Sequence, residues 1–190
     1  MHATDSEIIV KIRLGAKQPF AILVDRYRDS AMTLALRMLR NREDAEEATQ
    51  DAFVRAFRSL GTFEGAAKFS TWFYRIVYNV CLTRLGNRKK ELTSVEFDDE
   101  REIDSGNAPP APDAELEVRD MATLVRKSIE RLPPKYSAII SLFYVQELSH
   151  EEICEVTQLP RGTVKVRLHR ARALLQESLR KELHMEKVAV

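Results

Sequence analysis

The chain has 190 residues, 44% hydrophobic and 31% charged, with only six glycines. That composition excludes a disordered polymer and fits one or two small helix-rich domains. Thirty basic against 29 acidic residues leave a formal net charge of +1, so overall charge gives no argument for a polyanionic partner. No apolar run approaches the roughly 18 residues of a membrane span, and the polar N-terminus does not read as a signal peptide. No membrane insertion is expected. The two cysteines, Cys81 and Cys154, lack CxxC spacing and read as reduced, helix-packed thiols of a cytoplasmic protein.

Helical periodicity runs through almost the whole chain, which predicts an all-α fold without a substantial sheet. Thr4-Asp-Ser-Glu7 forms a capping box for a short first helix ending near Gly15. A long helix follows from about Pro19 to Arg40, with Phe20, Leu23, Val24, Tyr27, Ala31, Leu34 and Met38 on or near one face. Asn41 caps a third helix from about Arg42 to Leu60, stopped by Gly61. Residues 61–69 form a glycine-bearing loop. A fourth helix, capped by Ser70, is expected to reach Leu85 and end at Gly86.

Residues 92–113 break the pattern. They contain Glu96, Asp98, Asp99, Glu100, Glu102 and Asp104 against Arg101 alone, followed by Asn107-Ala-Pro-Pro-Ala-Pro112. This reads as a flexible acidic, proline-rich linker between two small helical domains, 1–91 and 114–190. As a coil it spans about 25–30 Å and stretches to roughly 70 Å. Beyond it Asp113 caps a helix to Leu132, and Pro133-Pro134 breaks the chain and starts the next helix, which ends near Val145.

The C-terminal segment reads as a helix-turn-helix. Ser149 and Glu152 form a capping box, and Ile153 and Val156 give the first helix its apolar side. Gln158-Leu-Pro160 stops it. The second helix starts at about Arg161 and reaches about His184. Val164, Leu168, Ala171 and Leu175 fall on one stripe, while Gly162, Val166, His169 and Arg170 lie opposite, flanked by Lys165 and Arg167. From Arg161 to Arg172 there are five Lys and Arg residues and no acid. A solvated surface helix is one reading. Cations at a helix start oppose the macrodipole, which favours the other: a helix placed in a DNA major groove.

Within the first domain, the helix at 44–60 buries Ala45, Ala48, Ala52, Phe53, Ala56 and Leu60, and shows Glu47, Gln50, Asp51 and Arg55 on its other side. Phe69-Ser-Thr-Trp-Phe-Tyr-Arg-Ile-Val-Tyr-Asn79 holds five aromatics and leads to a basic cluster, Arg84, Arg88, Lys89 and Lys90. Phe73, Ile76, Val77 and Val80 suit the core, and Trp72 is read as core before ligand contact. Tyr74, Arg75, Tyr78 and Asn79 are expected to be partly exposed. Aromatics interleaved with cations suit single-stranded DNA, which needs stacking surfaces and counter-charge.

With these segments in order, the chain resembles a bacterial RNA polymerase sigma factor of the extracytoplasmic-function (ECF) group, which keeps only regions 2 and 4. The resemblance rests on Asp44-Ala-Glu-Glu-Ala-Thr-Gln-Asp-Ala-Phe-Val-Arg-Ala-Phe57, Lys68-Phe-Ser-Thr-Trp-Phe-Tyr-Arg-Ile-Val-Tyr-Asn79, Leu132-Pro-Pro and Gly162-Thr-Val-Lys-Val-Arg-Leu-His-Arg-Ala-Arg172. It covers nearly all of the chain except the linker.

The resemblance implies that Glu47, Gln50, Asp51 and Arg55 grip the β′ clamp of core RNA polymerase, with the β flap as a second contact. It implies that Phe63, Lys68, Tyr74, Arg75 and Asn79 touch the melted −10 strand, helped by phosphate contacts from Arg84, Arg88 and Lys89. Arg161, Thr163, Lys165, Val166, Arg167, His169, Arg170 and Arg172 would meet the double-stranded −35 element. Val166, His169 and Arg170 take the base-edge roles, and Arg170 suits bidentate pairing with guanine. The acidic linker would pass along the polymerase's basic RNA path, and an anti-sigma factor is a further implied partner.

No catalytic residue, metal or cofactor is expected. HExxH, P-loop and nucleophile-elbow motifs are missing, and His150 and Cys154 at i, i+4 have no third ligand nearby in sequence. The alternative reading is a helix-turn-helix activator that binds duplex DNA without becoming a polymerase subunit.

Overall fold

The computed structural model describes the backbone of residues 3–92 and 117–188, with side chains described over 3–87 and most of 121–182. Eight α-helices and no strand lie among the described residues. The linker expectations for 93–113, and the Asp113 cap, lie outside them.

The capping box at Thr4 forms as the sequence predicts. The Thr4 side chain accepts from the Glu7 N–H, and the Glu7 carboxylate accepts from the Thr4 N–H at 2.8 Å. It opens α1 (Asp5–Arg13), whose acids lie in the first turn and whose bases lie in the last, matching the macrodipole. Asp5 also receives hydrogen bonds from Arg26 and Tyr27, which tie α1 onto α2 (Phe20–Leu39). Arg40 stops α2 by taking a left-handed conformation at φ +55°, its N–H returning to Leu36. Asn41 accepts from the Asp44 N–H at 3.0 Å and starts α3 (Arg42–Ser59). Ala45, Ala48, Ala52 and Ala56 are fully buried. A stripe so small lets α3 lie close against both α2 and α4.

A short 3₁₀ turn at Leu60–Thr62 leads to the loop, where Gly65 sits at φ +78°. Helix α4 (Phe69–Leu92) departs from the sequence expectation at both ends. It starts at Phe69, so Ser70 lies inside the first turn. It also runs through Gly86, because a glycine ends a helix only where it turns left-handed, and Gly86 does not.

In the second half, α5 (Glu117–Arg131) is followed by α6 (Pro134–Tyr144), with Pro134 at the first helical position where its missing N–H costs nothing. Glu147, at φ +53°, makes the corner into α7 (His150–Thr157). Ser149 and Glu152 close the expected capping box, and Gln158 ends α7 in the left-handed region. Helix α8 (Arg161–Val188) runs a turn beyond the expected end. Its stripe of Val164, Leu168 and Ala171 is buried, with Leu175 half-buried.

The two helical regions lie against each other. Helix α7 packs along α4, and α6 packs along α2. One continuous cluster of buried side chains joins Leu34, Phe73, Val77 and Cys81 of the first half to Ala138, Leu142, Ile153 and Val156 of the second. The physical reason is that α6 and α7 are apolar on more than the side facing α8. That second apolar side needs cover, and α2 and α4 supply it.

Candidate nucleic-acid interface

Helix α8 presents the residues expected to read DNA. With Val164, Leu168 and Ala171 pinned in the core, its geometry forces Lys165, Val166, His169 and Arg170 outward, and all four are exposed. Val166 is 49% exposed, an apolar side chain left in water on the basic face. Beside it, Tyr136, Pro160, Gly162, Thr163, Val166 and Arg170 line a shallow cleft of about 540 Å³. The other three cations between Arg161 and Arg172 are engaged. Arg161 pairs with Glu151 at 2.9 Å. Arg172 lies over the rings of Phe143 and Tyr144, 5.4 and 5.5 Å from their centroids. Arg167 is half-buried, its cation near the Tyr78 phenol of α4.

The aromatic segment behaves differently. Arg75 and Asn79 are exposed, but Tyr74 and Tyr78, expected to be partly exposed, are 4% and 6% exposed. Tyr74 is covered by Tyr27 and Ser30 of α2 and by Gln146 at the corner between α6 and α7, and the Arg167 cation of α8 lies near Tyr78. Burial pushes the phenols of both tyrosines up, with Arg167 pulling Tyr78 back down. The Tyr74 hydroxyl donates to Gln146 Oε1 at 2.6 Å and sits 3.0 Å from Ser30 Oγ.

Phe63 is 8% exposed, its ring against Phe69 and Trp72, and its carbonyl accepts from Arg13. Trp72 is half-buried in the same aromatic group, in keeping with the core reading. Lys68 is exposed and pairs with Glu152 at 3.0 Å. Glu152 is held below the ordinary carboxylate range, first by the Ser149 N–H, despite partial desolvation, with Lys68 adding to the effect.

The residues expected to meet polymerase share a face of α3, with Arg84 of α4 beside it. Glu47 pairs with Arg84 at 2.9 Å, and Asp51 with Arg55 at 2.9 Å. Asp44, Asp51, Arg55, Thr83, Arg84 and Asn87 line a cleft of about 440 Å³ between α3 and α4. Gln50 is exposed on the same helix. The side chains of Arg88 and Lys89 lie outside the described residues. Cys81 is buried and its thiol is pushed up to about 12 by desolvation, so it carries almost no thiolate at neutral pH. Among the described residues no helix is long and apolar enough to cross a membrane.

Sequence reasoning missed Arg37, Arg40, Ser141 and Gln146. Arg37 donates to Ser141 Oγ at 2.5 Å, and Arg40 donates to the carbonyls of Arg131 and Leu132. None belongs to a motif. The one local signal was two arginines at the C-terminal end of α2.

A helix-turn-helix with an open basic face, behind a helical half rich in buried aromatics, matches two family models. Sigma-70 region 2 matches residues 23–91, and Sigma-70 region 4 matches residues 122–175. Together they define a sigma-70-type initiation factor built from those two regions.

Among curated relatives, the ECF RNA polymerase sigma factor SigW of Bacillus subtilis is 34% identical, over 90% of this chain and 95% of its own. The ECF RNA polymerase sigma-E factor of Haemophilus influenzae is 30% identical, over 93% and 95%. In fold, the chain is similar to the sigma factor RpoE of Bartonella quintana, solved in complex with the anti-sigma factor NepR, at a TM-score of 0.66 and 24% identity over 85% of this chain and 96% of that one. It is similar also to CnrH, solved with the cytosolic domain of CnrY, at 0.61 and 22% over 92% and 96%.

The chain belongs to the ECF group of RNA polymerase sigma factors. It binds core RNA polymerase and directs it to promoter DNA, and the reading as a free-standing activator is set aside.

Proposed function

We propose that residues 1–91 form the region 2 domain, which binds the β′ clamp and opens the −10 element, and that 114–190 form the region 4 domain, which reads the −35 element and meets the β flap. The observation that carries this division is the exposed quartet Lys165, Val166, His169 and Arg170 on a helix whose other side is locked in the core. Arg170 takes a guanine edge, Val166 a thymine methyl, and Lys165 the phosphate backbone.

In region 2, Arg75, Asn79 and Lys68 lie at the surface for the non-template strand, while Glu47, Gln50, Asp51 and Arg55 offer the polymerase surface. Tyr74 and Phe63 serve the strand only after the packing around them changes. The protein performs no catalysis of its own; polymerase supplies the chemistry. It works in the cytoplasm, where its polymerase and promoters are. An anti-sigma factor is its regulatory partner, a reading supported by the structural relative RpoE of Bartonella quintana, solved with the anti-sigma factor NepR.

Run-off transcription with core polymerase and a randomised promoter library tests this reading. Transcripts should start from one promoter class only when the protein is present, and Arg170→Ala should relax a single upstream base pair. Tight, sequence-specific duplex binding by the protein alone, with no gain in initiation by core polymerase, would overturn it.

A further inference from the structure

The stretch from Phe63 to Phe69 is held at its two ends and open between them. Phe63 and Phe69 are buried, whereas Glu64, Gly65, Ala66 and Lys68 are exposed. Gly65, Ala66 and Ala67 bring no hydrogen-bonding side chain, so what the middle of this loop offers a ligand is its main-chain N–H and C=O groups. Such groups tell one base edge from another only where the path of the loop holds them in a fixed place.

The first end is held through Phe63. Its N–H returns to the Leu60 carbonyl at 3.2 Å, its ring packs on Phe69 and Trp72, and its carbonyl accepts from the Arg13 guanidinium. Arg13 comes from the last turn of α1, 50 residues earlier in the chain. A cation in that turn complements the macrodipole, but Lys11 already supplies one there. Reaching across to a carbonyl of the loop is a separate task. Helix α1 is firmly seated for it, with Ile8 and Ile9 buried and Asp5 receiving hydrogen bonds from Arg26 and Tyr27. The Tyr27 ring in turn lies 5.4 Å from Phe69, at the far end of the loop. Helix α1 thus acts as a strut tied to both ends of the loop.

We infer that Arg13 is a positioning residue for base selection at the −10 element: by pinning the Phe63 carbonyl it sets the path of residues 64–68, and with it the base edge that the main chain of the loop accepts. Without that bond the peptide unit joining Phe63 to Glu64 can turn, and Gly65, left-handed at φ +78°, lets the following residues swing with it. Arg13 itself need not touch DNA. The inference rests on the −10 role proposed above for this segment.

The strut is tested on the free chain. Trp72, the sole tryptophan, sits 5.2 Å from the Phe63 ring and reports on that anchor. Arg13→Ala should open Trp72 to quenching by acrylamide, and Arg13→Lys, which keeps a donor for the carbonyl, should fall between that variant and wild type. Equal quenching in all three would overturn the strut.

The selectivity is tested on holoenzyme, by run-off from promoters competing with every base at each −10 position. Arg13→Ala should lower the preference at one −10 position on the order of fivefold, the lower end of what one well-made base contact confers. Preference at the −35 element should stay as in wild type, and Arg13→Lys should restore part of the loss. Gly65→Ala, where a Cβ meets nothing within 4 Å but the backbone is strained, should disturb the same position through the loop path alone. Undiminished preference in Arg13→Ala, an equal loss at every −10 and −35 position, or a Gly65→Ala effect at another position would overturn the inference. If wild type selects a −10 sequence and Arg13→Ala selects it as sharply, only this inference falls. If wild type starts no promoter-directed transcription, the −10 reading falls and takes this inference with it.

Discussion

Helix α8 confines its apolar residues to one stripe and leaves Lys165, Val166, His169 and Arg170 in solvent, whereas α4 is buried on nearly every side between residues 69 and 81. Both carry residues assigned to DNA, yet only the first is presented ready to dock. The difference follows from what each target requires. A duplex offers a groove of fixed shape, so a rigid exposed helix suffices. A melted strand must be captured on aromatic faces, and aromatic faces left in water invite cover, which Tyr27, Ser30 and Gln146 give Tyr74.

The comparison can be broken first where it predicts the largest effect. Phe73 is wholly buried, stacked on Phe53 at 4.6 Å between centroids and on Phe69 at 5.9 Å. Phe73→Ala should cost about 3–5 kcal/mol in urea unfolding, while Val166→Ala on the open face should stay within about 0.5 kcal/mol. Similar losses at both positions would mean that α4 and α8 are not buried differently.

A smaller effect sharpens the recognition side. Arg170→Ala should leave stability within about 0.5 kcal/mol but remove about 1–3 kcal/mol of discrimination at one upstream base pair, measured by competition between promoter variants. A uniform loss across all variants would make Arg170 a phosphate contact instead.

The smallest expected effect lies where the two helices' surroundings meet, at Glu152. Its carboxyl is held below the usual 4.5 by the Ser149 N–H first, against partial desolvation, with Lys68 adding to it. A depressed carboxylate stabilises the fold fully above its unfolded value, and that contribution is lost as the pH falls through the folded one. Acid titration of stability from about pH 6 downward should therefore show wild type losing more than Glu152→Gln once the pH passes below about 4.5. Parallel curves would show that the carboxylate gains nothing on folding.

Much of this was legible in the residues. The capping boxes at Thr4 and Ser149, the Asn41 cap and the Pro133-Pro134 break are local devices, satisfied by neighbours three or four positions away, and they stand where the sequence puts them. The α8 stripe was equally plain, because helical spacing converts directly into a buried face. Gly86 and Ser70 misled, since a glycine or serine marks a helix end only when the surrounding packing agrees. Tyr74 and Tyr78 misled for another reason: part of their cover comes from Gln146 and Arg167, far along the chain, and no local pattern announces it.

The sequence by itself determined the helices, the caps at Thr4, Asn41 and Ser149, the buried stripe of α8 and membership of the sigma-70 family, because each depends on periodicity or on contiguous residues. Tertiary structure alone decided that Arg40 would cap α5, that Gln146 would hold Tyr74 and that Arg167 would meet Tyr78. Those contacts join segments far apart along the chain, and they form only because burying the second apolar side of α6 and α7 brings the two halves together.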